Sequence, residues 1–447
     1  MGKRTIIKNG YVLTMNPTKD AFVSDILIDN DTIAELHTNI PRQPGDTVLD
    51  ATGKIVAPGF VQSHVHLCQT LFRGLANDKA LMDWLDIIMP LESCHDDESA
   101  YLSAQLAICE LLRKGTTTIN DMGTSRFHME TANAVRDSGI RAQLGRTIMD
   151  SEWTVDYLRH DTDRGLSEAV EFIEKWRKES DLITCGIPIR WVLNISDESL
   201  RGVRDIAKKY NIPLHTHANE NIDECRYIEK EKGMSAIAYF HQFGLTDCKM
   251  QMAHCIYVSE EERSLLKKHN VSVLHCPSCN CKAASGIAPV TTYMREKINV
   301  SLGSDTAACN DNLDMFEEMR LAGFLQKLKE GPCALPASDI FALASAGGAE
   351  ALGLQTKIGS LEVGKKADII VIKPSVGNVP FHEESIYSSL VYASNGRDVD
   401  TTIVNGRILY QDGHFLSMDY EKLKPDCEKA VQRVTERAHE RGLYKMR

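Results

Sequence analysis

Apolar residues follow two rhythms along this chain. At both ends they fall in short alternating runs bounded by turn residues: 6–12, 25–28, 32–36 and 48–53 near the start, then 366–372, 399–404 and 407–410 near the finish. Period-two alternation of this kind predicts strands with one apolar face. Asn405-Gly406 between the last two runs is a strong hairpin turn signal. In the middle, strand-like runs alternate with helix-period stretches. Helices are predicted over 98–114, 127–138, 166–179, 200–210, 260–269, 290–296 and 338–352. Strands are predicted over 117–120, 141–147, 184–193, 213–215, 250–254, 271–274 and 300–302. The stretch from Asp419 to about Arg441 reads as one polar, charged helix.

Strand–helix alternation with right-handed crossovers predicts a parallel sheet. The chemistry-bearing residues follow the first, middle and last strands, and only closure brings those ends together. The expected fold is therefore α/β, a (β/α)8 TIM-type barrel with a small β-sandwich domain built from both chain ends. Residues 1–56 plus 358–415 would form the small domain, 57–357 the barrel, and 416–447 a helical tail.

Composition narrows the class. A chain of 447 residues exceeds one ordinary core and suits a barrel plus an accessory domain. Hydrophobic content of 43% and charged content of 25% fit a soluble enzyme. The net charge of -11, with no basic stretch, argues against a nucleic-acid partner. No apolar run is long enough for a membrane helix and no signal region follows the first residues, so a cytoplasmic protein is expected. The 13 scattered cysteines fit reduced thiols better than a disulfide framework.

Four short pieces carry the candidate chemistry, and each sits where an apolar run stops. They are His64-Val-His66, His215-Thr-His217-Ala-Asn-Glu220, Ala253-His254-Cys255 and Gly303-Ser-Asp305. Residues at the carboxyl ends of parallel strands converge on one mouth. His64 and His66, two apart on an extended segment, point the same way. Spacing alone leaves His215 and His217 equivalent. Three imidazoles and one carboxylate, with a position left for water, suit a catalytic Zn²⁺; Fe²⁺ or Mn²⁺ could take the same donors. A bound metal lowers the pKa of water towards neutrality and provides hydroxide. Asp305 could also accept the water proton, Glu220 could protonate a substrate nitrogen, and His254 could hold the attacking water or a developing oxyanion. Cys276-Pro-Ser-Cys279-Asn-Cys281 looks like a soft-metal cluster, but no partner Cys-x-x-Cys exists, and the run reads as a barrel loop lining the pocket.

With these residues in place, the chain resembles the amidohydrolase superfamily over essentially its full length. It is similar to the branch holding S-adenosylhomocysteine/5′-methylthioadenosine deaminases and triazine hydrolases. The matching stretches are Pro58-Gly-Phe-Val-Gln-Ser-His64-Val-His66, Gln69-Thr-Leu-Phe-Arg73-Gly74, Trp84-Leu-Asp, His217-Ala-Asn-Glu220, Ala253-His254-Cys255, Ser285-Gly-Ile-Ala-Pro-Val290, Gly303-Ser-Asp305, Asn312 to Arg320 and Gly359-Ser-Leu-Glu-Val-Gly364. The resemblance implies one Zn²⁺ held by His64, His66, His217 and Asp305, with Glu220 and His254 as catalytic partners and His215 behind them. It implies substrate contacts at Trp84, Glu92, Arg146, Asn280 and Cys309. It further implies hydrolytic deamination of an amino-substituted N-heterocycle, foremost an adenosine-type nucleoside such as S-adenosylhomocysteine or 5′-methylthioadenosine, with a homo-oligomer, dimer or tetramer, as the assembly. Ile189 and Cys309 stand where the deaminases carry a pocket histidine and serine. These departures keep two alternatives in view: a triazine-type hydrolase and a guanine-type deaminase.

Overall fold

The computed structural model describes residues 4–378 and 382–444. The alternating runs from both ends of the chain join one nine-stranded sheet. Arg4–Leu13, Ala21–Asp29, Thr32–His37, Thr47–Asp50 and Ile55–Pro58 come from the start; Ile369–Ile372, Val399–Val404, Arg407–Gln411 and His414–Phe415 come from the finish. Ile369–Ile372 pairs antiparallel with Ile55–Pro58, setting Val371 against Val56, and is the seam between the two ends. Ile7, Val12, Ile26, Ile28, Ile369 and Ile403 bury together, as alternation demands.

The middle of the chain is α/β, with parallel strands consistent with a TIM-type barrel. Phe60–Val65, Thr116–Asp121, Arg141–Leu144 and Ile183–Cys185 form one sheet. Ile187–Ile189, Leu214–Ala218, Met250–His254, Ser272–His275 and Val300–Leu302 form another. Isolated parallel bridges link the two, Val65 with Asp305 and Ile148, just beyond Arg141–Leu144, with Ile189. Gly303 permits the first of these: a Cβ there would meet the His64 backbone nitrogen at 2.8 Å. No helix among the described residues is long and apolar enough to cross a membrane.

Two predicted elements come out divided, and helices stand where none is predicted, among them Leu81–Ser93, Ile222–Lys232, Ala236–Gln242 and Met315–Glu330. The run 184–193 is two short strands broken at Gly186 and divided between the two sheets. The stretch 338–352 is two helices, Ala337–Leu343 and Ala346–Ala351. Gly347 and Gly348 there press on Val300 and Val61, where a Cβ would come within 2.6 Å of either residue. Leu81–Ser93 is a helix the period misses, because apolar residues surround it and Pro90 interrupts the pattern. The tail helix, Tyr420–Glu440, is polar outside but buries Leu423, Cys427, Ala430, Val434 and Ala438 against Ile88 and Leu91 of Leu81–Ser93.

One ion pair ties the nine-stranded sheet to the parallel strands. Arg141 donates to Asp368 through Nε at 2.7 Å and Nη2 at 3.0 Å. The backbone N–H of Asn405 adds a third bond to Asp368 at 2.8 Å. Both side chains are almost fully buried. Removing one partner of such a pair leaves an uncompensated buried charge, worth about 3–5 kcal/mol. Arg141→Ala is expected to lower the unfolding free energy by that order in urea titration. A loss under about 1 kcal/mol would mean the pair is solvated.

Candidate active site

The ends of four parallel strands deliver the polar cluster. His64 lies in Phe60–Val65 and His66 just beyond it. His217 lies in Leu214–Ala218, His254 closes Met250–His254, and Asp305 follows Val300–Leu302. The backbone is left-handed at His254 (φ 70°), Cys255 (φ 45°) and Asp305 (φ 59°). Non-glycine residues rarely hold this conformation, and it concentrates at functional sites. Hydrogen bonds hold it here: Asp305 N–H to the His64 carbonyl at 3.0 Å, and Cys255 N–H to the Ala218 carbonyl at 3.0 Å.

His64, His66, His217 and Asp305 each place one donor atom within 4.8 Å of the others. Oδ1 of Asp305 is 3.4 Å from His64 Nε2 and 3.2 Å from His66 Nε2. His66 Nε2 is 3.2 Å from His217 Nε2. The outer atoms of His217 and His64 are engaged elsewhere, while His66 Nδ1 is buried without a hydrogen-bond partner. His217 Nδ1 donates to the Arg190 carbonyl at 2.6 Å, which leaves the Nε2 lone pair facing the cluster. His64 Nδ1 is 2.8 Å from His215 Nε2, so His215 is turned onto a neighbour rather than into the cluster.

Burial strips charge from the imidazoles. It pushes His66 down to about 4, with help from Arg190, and lowers His64 and His217 as well. Burial alone would raise the Asp305 carboxyl, but His64 and His66 hold it well below the usual range. Burial thus disfavours charge on the three imidazoles while Asp305 favours its carboxylate form, the donor set of a divalent cation. His64 Nε2 is buried without a hydrogen-bond partner, as a residue kept for a ligand would be. The residues present therefore fit such an ion.

Two carboxyls and one further histidine complete the centre. Glu220 Oε2 lies 3.5 Å from His254 Nε2, which is itself 3.8 Å from Asp305 Oδ2. Burial, then Glu224, then Asp305 push the Glu220 carboxyl well above the usual range. Glu224 accepts from the Glu220 N–H at 2.8 Å and from Trp191 Nε1 at 2.6 Å. Asn280 Oδ1 lies 2.9 Å from His254 Nδ1 and orients the ring.

A cavity of about 390 Å³ opens over this cluster, within the range of small-molecule sites. Three of the four tryptophans, Trp84, Trp153 and Trp191, line it. Of the residues expected to touch substrate, Trp84 and Cys309 are in its wall. Arg146 is not. Its guanidinium, buried and in need of a counter-charge, binds Glu168 at 2.7 Å and the Thr147 carbonyl at 2.9 Å. Asn280 supports His254 from outside the lining. Glu92 is fully buried, bonded to Gln69 at 2.9 Å and Arg190 at 3.1 Å; it is Arg190 that reaches the cavity. The Cys276–Cys281 run forms a short helix, Pro277–Lys282, rather than a loop, and Cys279 lines the cavity. Sequence reasoning misses Arg190, Trp191 and Glu224. Only Glu224 has a local signal, the capping-box spacing from Asn221.

Comparison with known proteins agrees with this geometry. The amidohydrolase family model matches residues 55–409. A 5-methylthioadenosine/S-adenosylhomocysteine deaminase of Carboxydothermus hydrogenoformans is 37% identical over 431 residues, covering 95% of this chain and 96% of the relative. A 5′-deoxyadenosine deaminase of Methanobrevibacter smithii is 37% identical over 435 residues, covering 96% and 98%. Among solved structures, an adenosine deaminase from Xanthomonas campestris with bound zinc superposes with a TM-score of 0.90 at 29% identity, over 96% of this chain and 98% of that one.

Proposed function

This chain belongs to the amidohydrolase family, and from that premise we propose that it hydrolytically deaminates an adenosine-type nucleoside. The observation that carries the reading is the buried Glu220 carboxyl, raised well above its usual range, 3.5 Å from His254 Nε2 and beside the donor cluster of His64, His66, His217 and Asp305. The relatives named for 5-methylthioadenosine, S-adenosylhomocysteine and 5′-deoxyadenosine supply the substrate class. The apolar wall of Met82, Leu85, Met89 and Val155 suits an uncharged 5′ substituent, which favours the methylthio and deoxy nucleosides.

His64, His66, His217 and Asp305 would hold the cation, which we take to be zinc, with Fe²⁺ or Mn²⁺ suited to the same donors. When bound, it supplies Lewis-acid activation of water. The chain's own residues manage the protons. Glu220 donates its proton to the ring nitrogen next to the amino-bearing carbon, which makes that carbon more electrophilic. Water adds its oxygen there, and Asp305, with His254 Nε2 beside it, takes the first proton and passes it to the amino group. The second proton, on the new hydroxyl, returns to Glu220 as the carbon–nitrogen bond breaks. Ammonia leaves, and the keto product keeps the proton on the ring nitrogen.

Other parts of the reading follow the family. The two parallel sheets close into a (β/α)8 barrel over 57–357. Residues 1–56 and 358–415, as far as they are described, fold as a β-sandwich, and the segment 416–447 carries an appended helix, Tyr420–Glu440; residues 1–3, 379–381 and 445–447 lie outside the described residues. The enzyme works in the cytoplasm as a dimer or tetramer, which analytical ultracentrifugation would check. The substrate test is a panel of 5′-methylthioadenosine, 5′-deoxyadenosine, S-adenosylhomocysteine, guanine and a chlorotriazine on metal-verified protein. Ammonia from the 5′-substituted adenosines is expected; turnover confined to guanine or the triazine would overturn the assignment.

A further inference from the structure

Two thiols in the cavity wall take no part in this chemistry. Cys279 lies in Pro277–Lys282 and Cys309 in Ala307–Asn310. Their Sγ atoms are 2.9 Å apart, and both cysteines remain free. Each lines the cavity, 4% and 7% exposed respectively. Their approach is built in. Glu318 accepts from the Ser278 N–H at 3.1 Å and from Asn310 Nδ2 at 2.7 Å, clamping the two cysteine-bearing segments together. Trp84 packs against the same cluster. Cys276 packs in the same cluster, with its Sγ 3.7 Å from the Leu274 carbonyl; Cys281 is exposed, and the thiol facing Cys279 comes from a distant segment.

We propose that Cys279 and Cys309 form a dithiol binding site for trivalent organoarsenicals in the wall of the active-site cavity. Thiolate sulfur is a soft donor. Two thiols already in contact close on one arsenic atom with little further ordering, so the second bond forms intramolecularly. In the reaction of an arsenoxide, two As–S bonds form and the two bonds from arsenic to oxygen are lost. Both thiol protons leave with that oxygen as one water. No electrons are transferred. The bound organic group then takes up room that substrate needs.

The probe is phenylarsine oxide, titrated into metal-loaded full-length protein with excess monothiol present to suppress single-thiol adducts. Intact mass is expected to rise by one phenylarsine oxide less one water, and peptide mapping to place the bridge between Cys279 and Cys309. A small dithiol should strip it. Cys279→Ser and Cys309→Ser should each weaken uptake on the order of a hundredfold. Cys281→Ser and Cys333→Ser should keep it. No uptake by the wild-type protein, a bridge mapped to another pair, or full uptake by both the Cys279→Ser and Cys309→Ser proteins would overturn the site. The mass readout is independent of any assay for ammonia.

Discussion

Glu220→Gln is expected to cut ammonia release by about 10²- to 10⁴-fold, the usual span for a general acid–base group, with metal content unchanged. Glutamine keeps the size of the side chain and can donate a hydrogen bond, but it cannot give up a proton. The wild-type carboxyl can, because burial, then the Glu224 carboxyl and then Asp305 raise it well above the usual range. The active form is therefore the protonated one, and activity should fall as pH rises through the raised pKa. That alkaline limb should disappear in the residual activity of the variant. Glu220 lies outside the four-donor group, so elemental analysis should match wild type. Unchanged turnover would remove its acid role, and loss of metal would make it a ligand.

Asp305→Ala should strip both metal and activity. Substituting a residue that merely orients a ligand costs about 10- to 100-fold, so losing a direct donor is expected to exceed about 100-fold. Asp305 is also the only carboxylate among the four donors, and its Oδ1 stands within 3.4 Å of two imidazoles. An ion that binds only the folded state raises the melting temperature by mass action. Adding zinc to chelated wild-type protein should therefore restore turnover and raise the melting temperature together. Neither response is expected in the variant. A variant that retains one zinc per chain and near-normal turnover would sink the assignment of Asp305.

The histidine pieces are legible in the sequence because their information is local. His64-Val-His66 is two residues apart at the end of an apolar run, and a strand end presents such a pair on one side. His215 and His217 share that spacing, and only the fold separates them: Nε2 of His217 faces the cluster while His215 packs on His64. The substrate wall is less legible. Arg146 has the position of a substrate contact and is spent on Glu168, while Arg190, which no motif marks, reaches the cavity from beside Glu92. Nothing near position 190 in the sequence announces Glu92, because the two are brought together by strands and a helix that meet only after folding.

Alternation, helical period, glycine turns and the types of metal donor depend on covalent neighbours, so the two-part organisation of the chain, the strands that end in the four polar pieces and the pieces themselves can be read from the chain alone. Which polar side chain meets which is another matter. Cys279 against Cys309, Arg141 against Asp368, and the His64 backbone against Gly303 are contacts between segments far apart in sequence. They depend on register and on ångström-scale approach between packed elements, and no run of neighbouring residues encodes either.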